Sequence, residues 1–128
     1  LGLVKLIESL VSEYEWNHRR PIPISSLATL LSNCLYSRRN FPFYAHSIVA
    51  GFDEEGNGAV YGFDSIGSFE RLKVTCAGNG RNLVQPLLDI LNTRKANDDK
   101  NTCFIDSDFK TALDLIKKTI LAASERDI

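Results

Sequence analysis

The chain has 128 residues, about one domain's length, and carries 15 Lys and Arg against 16 Asp and Glu. That near-neutral balance gives no long-range field to recruit nucleic acid or an anionic membrane, and no apolar run approaches the roughly 20 residues that span a bilayer. Cys34, Cys76 and Cys103 are odd in number, widely spaced and outside any CxxC or Cys/His cluster. Neither a disulfide framework nor a zinc site is expected, which suits a reducing, intracellular compartment.

Methionine is absent, and Leu1 opens directly into a helical pattern with no cap before it. The sequence is therefore expected to be a piece of a longer chain. Leu3, Leu6, Ile7, Leu10, Val11 and Tyr14 recur at helical spacing and predict an amphipathic helix over about 1–16. His18, Arg19, Arg20, Pro21 and Pro23 then form a basic connector. A second helix, about 25–38, is expected to be capped by Ser25 or Ser26, with Leu27, Leu30, Leu31, Cys34 and Leu35 on one stripe.

From Phe41 to Phe52 the residues become aromatic and β-branched, predicting a long strand, with two more at about 59–64 and 68–76. Asp53 to Gly58 and Ser65 to Gly67 join them into an antiparallel meander. The first strand alternates Phe43, Ala45, Ser47 and Val49 with Tyr44, His46, Ile48 and Ala50. Both faces are apolar, so each needs a cover. A third helix, about 80–91, uses Leu83, Val84, Leu87, Leu88 and Leu91 and contains a kinking Pro86. Residues 92–102 lack an apolar anchor and read as a mobile surface loop. The last helix, about 107–124, starts at an Asp106 or Ser107 cap and aligns Phe109, Leu113, Ile116, Ile120 and Ala123. Helices on an antiparallel sheet define an α+β class.

The acidic, glycine-rich run FDEEGNGAVYGFDSIG, residues 52–67, invites comparison with a calcium loop. Asp53, Asn57 and Gly58 fit the ligand spacing, but strands flank the run where an EF-hand requires helices. A phosphate cradle fails because no helix N-terminus follows the glycines. A hairpin turn using Gly and Asn for positive φ is the favoured reading. Cys34 and Cys76 are placed in packed positions rather than as nucleophiles, and His46 as a core histidine rather than a base. His18-Arg19-Arg20 and Arg38-Arg39 are read as solvated helix ends, although Arg38-Arg39 leads into the aromatic Asn40-Phe41-Pro42-Phe43-Tyr44 and could equally belong to a protein interface.

At LYSRRNFPFY, followed by GFDEEGNGAVYGFDSIGSFER, CAGNG, LVQPLLD and AASERD, the sequence resembles the 20S proteasome β subunits, most closely the non-catalytic type 1 class. The resemblance implies a four-layer αββα sandwich of the N-terminal nucleophile hydrolase type, here lacking its N-terminal and C-terminal strands, so that the second apolar sheet face loses its partner. It implies protein degradation in cytoplasm and nucleus, no cofactor, and partners that are the other α and β subunits of a hetero-oligomeric 28-subunit particle. Nucleic acid and membrane are not implied. An isolated piece with an uncovered sheet is expected to self-associate.

Active members of that family attack with a processed N-terminal threonine whose own α-amino group takes the proton. The family's late serine, in a Gly-Ser-Gly turn, falls on Asn79 within Gly78-Asn79-Gly80, and its late aspartate on Asp127. Asparagine donates hydrogen bonds but cannot replace a hydroxyl in a proton relay. No catalytic residue is assigned to the chain, and Asp127 is read as a structural remnant tying the helix end to the nearby turn. The resemblance also implies that Asp64, Ser65, Ile66 and Ser68 line the pocket of the adjacent chymotrypsin-like subunit. A carboxylate there is expected to favour basic or polar substrate side chains. The alternative reading is an active threonine peptidase whose nucleophile lies upstream.

Overall fold

The computed structural model describes residues 2–98 and 109–126. Seven elements follow in the order α1 (Gly2–His18), α2 (Ile24–Ser37), β1 (Ile48–Phe52), β2 (Gly58–Phe63), β3 (Phe69–Leu72), α3 (Arg81–Asp98) and α4 (Phe109–Arg126). They fall into two compact units, Leu1–Leu72 and Lys73–Ile128. The class is α+β, helices with a small antiparallel sheet.

In the first unit, α1 buries no residue outright and half-buries Leu3, Ile7, Leu10, Val11 and Tyr14, while Leu6 stays exposed. It ends where Arg19 turns to φ 52 and donates its N–H to the Glu15 carbonyl at 2.8 Å. Such a left-handed residue terminates a helix by taking up an orphan carbonyl. The next helix starts earlier than the expected serine cap. Pro23 is the cap residue, in extended conformation, and its carbonyl accepts the Leu27 N–H at 2.9 Å. Ser25 and Ser26 lie inside the first turn and make no cap bond, because burial of Ile24 fixes the start one residue before them.

Ile24, Ala28, Leu31 and Leu35 are the buried stripe of α2. Ala28, Leu31 and Leu35 join Phe63 in the core, flanked by Leu3, Ile7, Phe43, Val49 and Tyr61. Leu35 is fully buried, a contribution of about 2–3 kcal/mol of apolar transfer.

The strands form a meander in the order β1-β2-β3, with Val49 opposite Tyr61, Gly51 opposite Ala59 and Phe63 opposite Phe69. One face meets α2. The other carries Ile48, Ala50, Phe52, Val60, Glu70 and Leu72, with Ile48, Ala50, Phe52 and Glu70 exposed. Among the described residues of the first unit, no element packs on that face as α2 packs on the first.

The expected strand over 41–52 is reduced to its last five residues. Two causes act together. Pro42 offers no N–H, and Tyr44 sits at φ 50, outside strand geometry. In addition, pairing with β2 ends where the Phe63 N–H donates to the Ser47 carbonyl at 3.0 Å, after which the chain has already turned away at Asp64. His46 is consequently exposed rather than a core residue. The third strand covers only Phe69–Leu72 of the expected 68–76. Beyond it, the Gly58 carbonyl accepts from the Arg71 guanidinium at 3.3 Å instead of from a ladder amide.

In the second unit α3 packs on α4. The helix continues through Pro86 and on to Asp98, so residues 92–98 are helical where a loop was expected. Asn-Thr-Arg-Lys-Ala needs no apolar anchor to propagate a helix already nucleated upstream. The expected Asp106 or Ser107 cap lies outside the described residues. On α4 the buried residues are Thr119 and Ala123, with Ala112 and Leu115 half-buried. The buried stripe is thus rotated from the expected one, leaving Phe109, Leu113, Ile116 and Ile120 exposed. Thr119 suits the position because its Oγ1 donates to the Leu115 carbonyl at 2.8 Å.

Candidate interaction surface

The turn between β2 and β3 contains all four residues expected to line a neighbour's pocket, and a single side chain organises it. Asp64 Oδ1 accepts from the N–H groups of Ile66 at 3.0 Å, Gly67 at 2.8 Å and Ser68 at 2.9 Å. The Asp64 N–H closes the loop on the Ser68 carbonyl at 3.0 Å. Gly67 takes φ 104, which an L side chain rarely adopts. Together these make a five-residue hairpin turn held by its first residue.

The turn is fixed to α2. Ser32 Oγ donates to the Gly67 carbonyl at 2.6 Å, and a Cβ on Gly67 would lie 2.6 Å from the Ser32 carbonyl oxygen. What projects from this base is Ile66, 52% exposed, with Ser68 exposed and Ser65 half-buried. The Asp64 side chain is committed to the turn through Oδ1, and the tip itself is apolar.

The turn between β1 and β2 repeats the construction. Asp53 Oδ1 accepts from Glu55 at 3.1 Å and Asn57 at 2.8 Å, the Asp53 N–H donates to the Asn57 carbonyl at 2.9 Å, and Gly56 takes φ 83. Asp53 Oδ2 also pairs with Arg71 Nη2 at 3.1 Å. The Asn57 amide bond acts most strongly and, with the Arg71 and Glu55 bonds, holds the Asp53 carboxyl below its usual range despite opposing desolvation. Beside this turn lies an open cleft of about 250 Å³, lined by Pro23, Ile24, Glu54, Glu55, Tyr61 and Arg71 among others. The sequence signal for both turns is a repeat, Phe-Asp-x-x-Gly-polar at 52–57 and 63–68, spaced eleven residues apart. That repeat, which the turn-by-turn reading of the sequence overlooks, marks each aspartate as a turn former.

A second surface gathers at 36–44. Arg38 stacks over the Phe43 ring at 4.9 Å and Arg39 over the Tyr36 ring at 4.7 Å. Phe41 and Tyr44 are 88% and 84% exposed. Arginine with exposed aromatics is the composition enriched in the centres of protein interfaces.

Among the described residues, the remaining candidates are held by local contacts or stand exposed. His18 donates from Nδ1 to the Tyr14 carbonyl at 2.9 Å, and its ring stacks on Tyr14. Cys34 and Cys76 are half-buried free thiols, each with its pKa raised by desolvation. Cys76 is held by Gln85, whose Oε1 accepts from its N–H at 3.0 Å and its thiol at 3.3 Å. Asn79 is exposed in the segment before α3. Cys103 and Asp127 lie outside the described residues. Among the described residues no group of His, Cys, Asp and Glu could hold a metal ion, and no helix is long and apolar enough to cross a membrane.

Comparison with known proteins defines the class. The proteasome subunit family model matches residues 2–128, and the chain belongs to that family. Over 128 residues it is 36% identical to proteasome subunit beta type-1 of Danio rerio, covering 100% of this chain and 53% of that protein. It is 37% identical over 134 residues to proteasome subunit beta type-1 of Arabidopsis thaliana, covering 99% of this chain and 58% of that protein. Proteasome subunit beta type-6 of Saccharomyces cerevisiae is 42% identical over 89 residues, 69% of this chain and 37% of that protein. The chain spans little more than half the length of the beta type-1 relatives, and they identify it as beta type-1-like.

Proposed function

We propose that the protein containing this chain is a non-catalytic structural β subunit of the 20S proteasome core. It completes the β ring in the cytoplasm and nucleus, and its partners are the other α and β subunits of a 28-subunit particle. Its fold is the four-layer αββα sandwich. The observation that carries this reading is the similarity to beta type-1 subunits over the whole chain. Two features support it. By the resemblance, Asn79 within Gly78-Asn79-Gly80 falls on the family's relay serine, and an amide would not shuttle that proton. On the sheet face opposite α2, the β1 residues Ile48, Ala50 and Phe52 are apolar and exposed, as packing on a second sheet would use.

In the assembled ring, the turn of Asp64, Ser65, Ile66 and Ser68 enters the substrate pocket of the neighbouring chymotrypsin-like subunit. Its base is rigid and its tip is Ile66, so apolar contact contributes alongside the charge of Asp64. The experiment is mass spectrometry of the particle purified from its native source, with sequencing of this subunit's mature N-terminus. Near-equal recovery of α and β subunits with a non-threonine N-terminus is expected. A processed N-terminal threonine would overturn the non-catalytic assignment, and recovery without partners would overturn the ring assignment.

A further inference from the structure

Two asparagines in the chain precede glycine, Asn57-Gly58 and Asn79-Gly80. In such a pair the backbone nitrogen of the second residue reaches the side-chain carbonyl carbon of the first with no Cβ in its way. The local structures of the two pairs differ. Asn57 donates its N–H to Asp53 at 2.8 Å, accepts from the Asp53 N–H at 2.9 Å and donates Nδ2 to Glu55 Oε2 at 3.3 Å. Gly58 is locked in register opposite Phe52. Reaching a cyclised geometry there means dismantling the hairpin end.

Asn79 lacks the side-chain bond and the ladder register that hold the first pair. It is exposed, lies outside every helix and strand, and follows Gly78 at φ 116. Among the described residues its side-chain amide has no hydrogen-bond partner, and the Gly80 N–H donates to none. The Gly78 carbonyl accepts from the Arg81 N–H at 3.2 Å and closes a turn around the pair, and the Gly80 carbonyl accepts from Leu83 and Val84 at 3.0 Å each. The nucleophile and the electrophile are thus both free.

We propose that Asn79 is a site of spontaneous deamidation and that the hairpin protects Asn57. Hydroxide removes the Gly80 amide proton, and the nitrogen attacks Asn79 Cγ. The new N–Cγ bond closes a succinimide as the Cγ–Nδ2 bond breaks, and the leaving amide takes a proton from water and departs as ammonia. Water then opens either ring carbonyl, giving aspartate or isoaspartate. The aspartate product places a carboxylate just ahead of α3, whose first turn contains no acidic residue, and the positive end of the helix dipole stabilises it there.

The test uses the full-length protein in its native assembly, held at mildly alkaline pH and peptide-mapped with aspartate and isoaspartate products resolved. Conversion at Asn79 is expected to run about ten-fold faster than at Asn57, the rate factor equivalent to about one net hydrogen bond of restraint. In denaturant the two rates should converge. Gly80→Ala should slow Asn79 without unfolding the chain, because the added Cβ meets nothing nearer than Val84 Cγ2 at 3.9 Å. Equal or faster conversion at Asn57 in the folded protein, no conversion at Asn79, or a preference that persists in denaturant would each overturn the proposal.

Discussion

The Ser32 hydroxyl donates a 2.6 Å hydrogen bond to the carbonyl of Gly67, thirty-five residues away, and so seats the β2–β3 turn on the helix beneath it. Ser32→Ala should cost about 1 kcal/mol. Gly67→Ala should cost more, about 2–4 kcal/mol, because φ 104 disfavours any side chain and the new Cβ would strike the Ser32 carbonyl oxygen at 2.6 Å. Gly56→Ala provides the comparison: its φ is 83 but nothing lies within 4 Å, so only the backbone cost of about 1 kcal/mol remains. Denaturant unfolding of the three variants checks the ranking, and equal losses at Gly56 and Gly67 would contradict the seating of the turn.

Asp64 combines two roles that two substitutions separate. Asp64→Asn retains an Oδ1 acceptor for the Ile66, Gly67 and Ser68 amides while removing the charge. Asp64→Ala removes both, and should lower stability by about 1–2 kcal/mol. If the turn shapes a neighbour's pocket through its geometry, Asp64→Asn will leave the neighbour's cleavage preference close to wild type and Asp64→Ala will change it. If charge dominates, the two variants will shift preference alike across a peptide panel.

Acid should loosen the first hairpin turn. The folded pKa of Asp53 is depressed, mainly by the Asn57 amide and also by Arg71 and Glu55. A depressed carboxylate contributes stability that is fully present above the unfolded value of about 3.9 and is lost as pH falls through the lower folded value. In an NMR titration, the Asn57 and Glu55 amide resonances should therefore move with a midpoint below the ordinary aspartate range. Asp53→Asn should abolish that transition, and a midpoint at or above the ordinary value would contradict the assignment.

How much of the fold is legible in the sequence depends on whether the information is local. The α1 and α2 stripes can be read because burial there follows a 3.6-residue repeat, as Leu31 and Leu35 illustrate. The length of β1 cannot. Phe41 to Ser47 have strand composition, but strand formation needs a partner, and β2 is used up at Phe63. The rotation of α4 is equally hidden, since its apolar residues nearly encircle the helix and only the packing selects Thr119 and Ala123. At the β2–β3 turn, the hairpin is readable and its internal bonding is not. The sequence reads Asp64 as a charge at the β2–β3 turn, whereas three backbone amides claim one of its oxygens.

The sheet face opposite α2 gives the last prediction. Ile48 and Phe52, 41% and 77% exposed, flank Ala50 on the face opposite α2. Exposed apolar surface drives association, and β1 and β3 are the two edge strands of the sheet. Residues 1–128 produced alone should therefore self-associate at micromolar concentration in light scattering. Phe52→Lys should reduce that association, because the side chain is exposed and its replacement opens no core cavity. A clean monomer for the unmodified chain would contradict the role of this face, whereas association unchanged by Phe52→Lys would shift attention to the exposed aromatic surface at Phe41 and Tyr44.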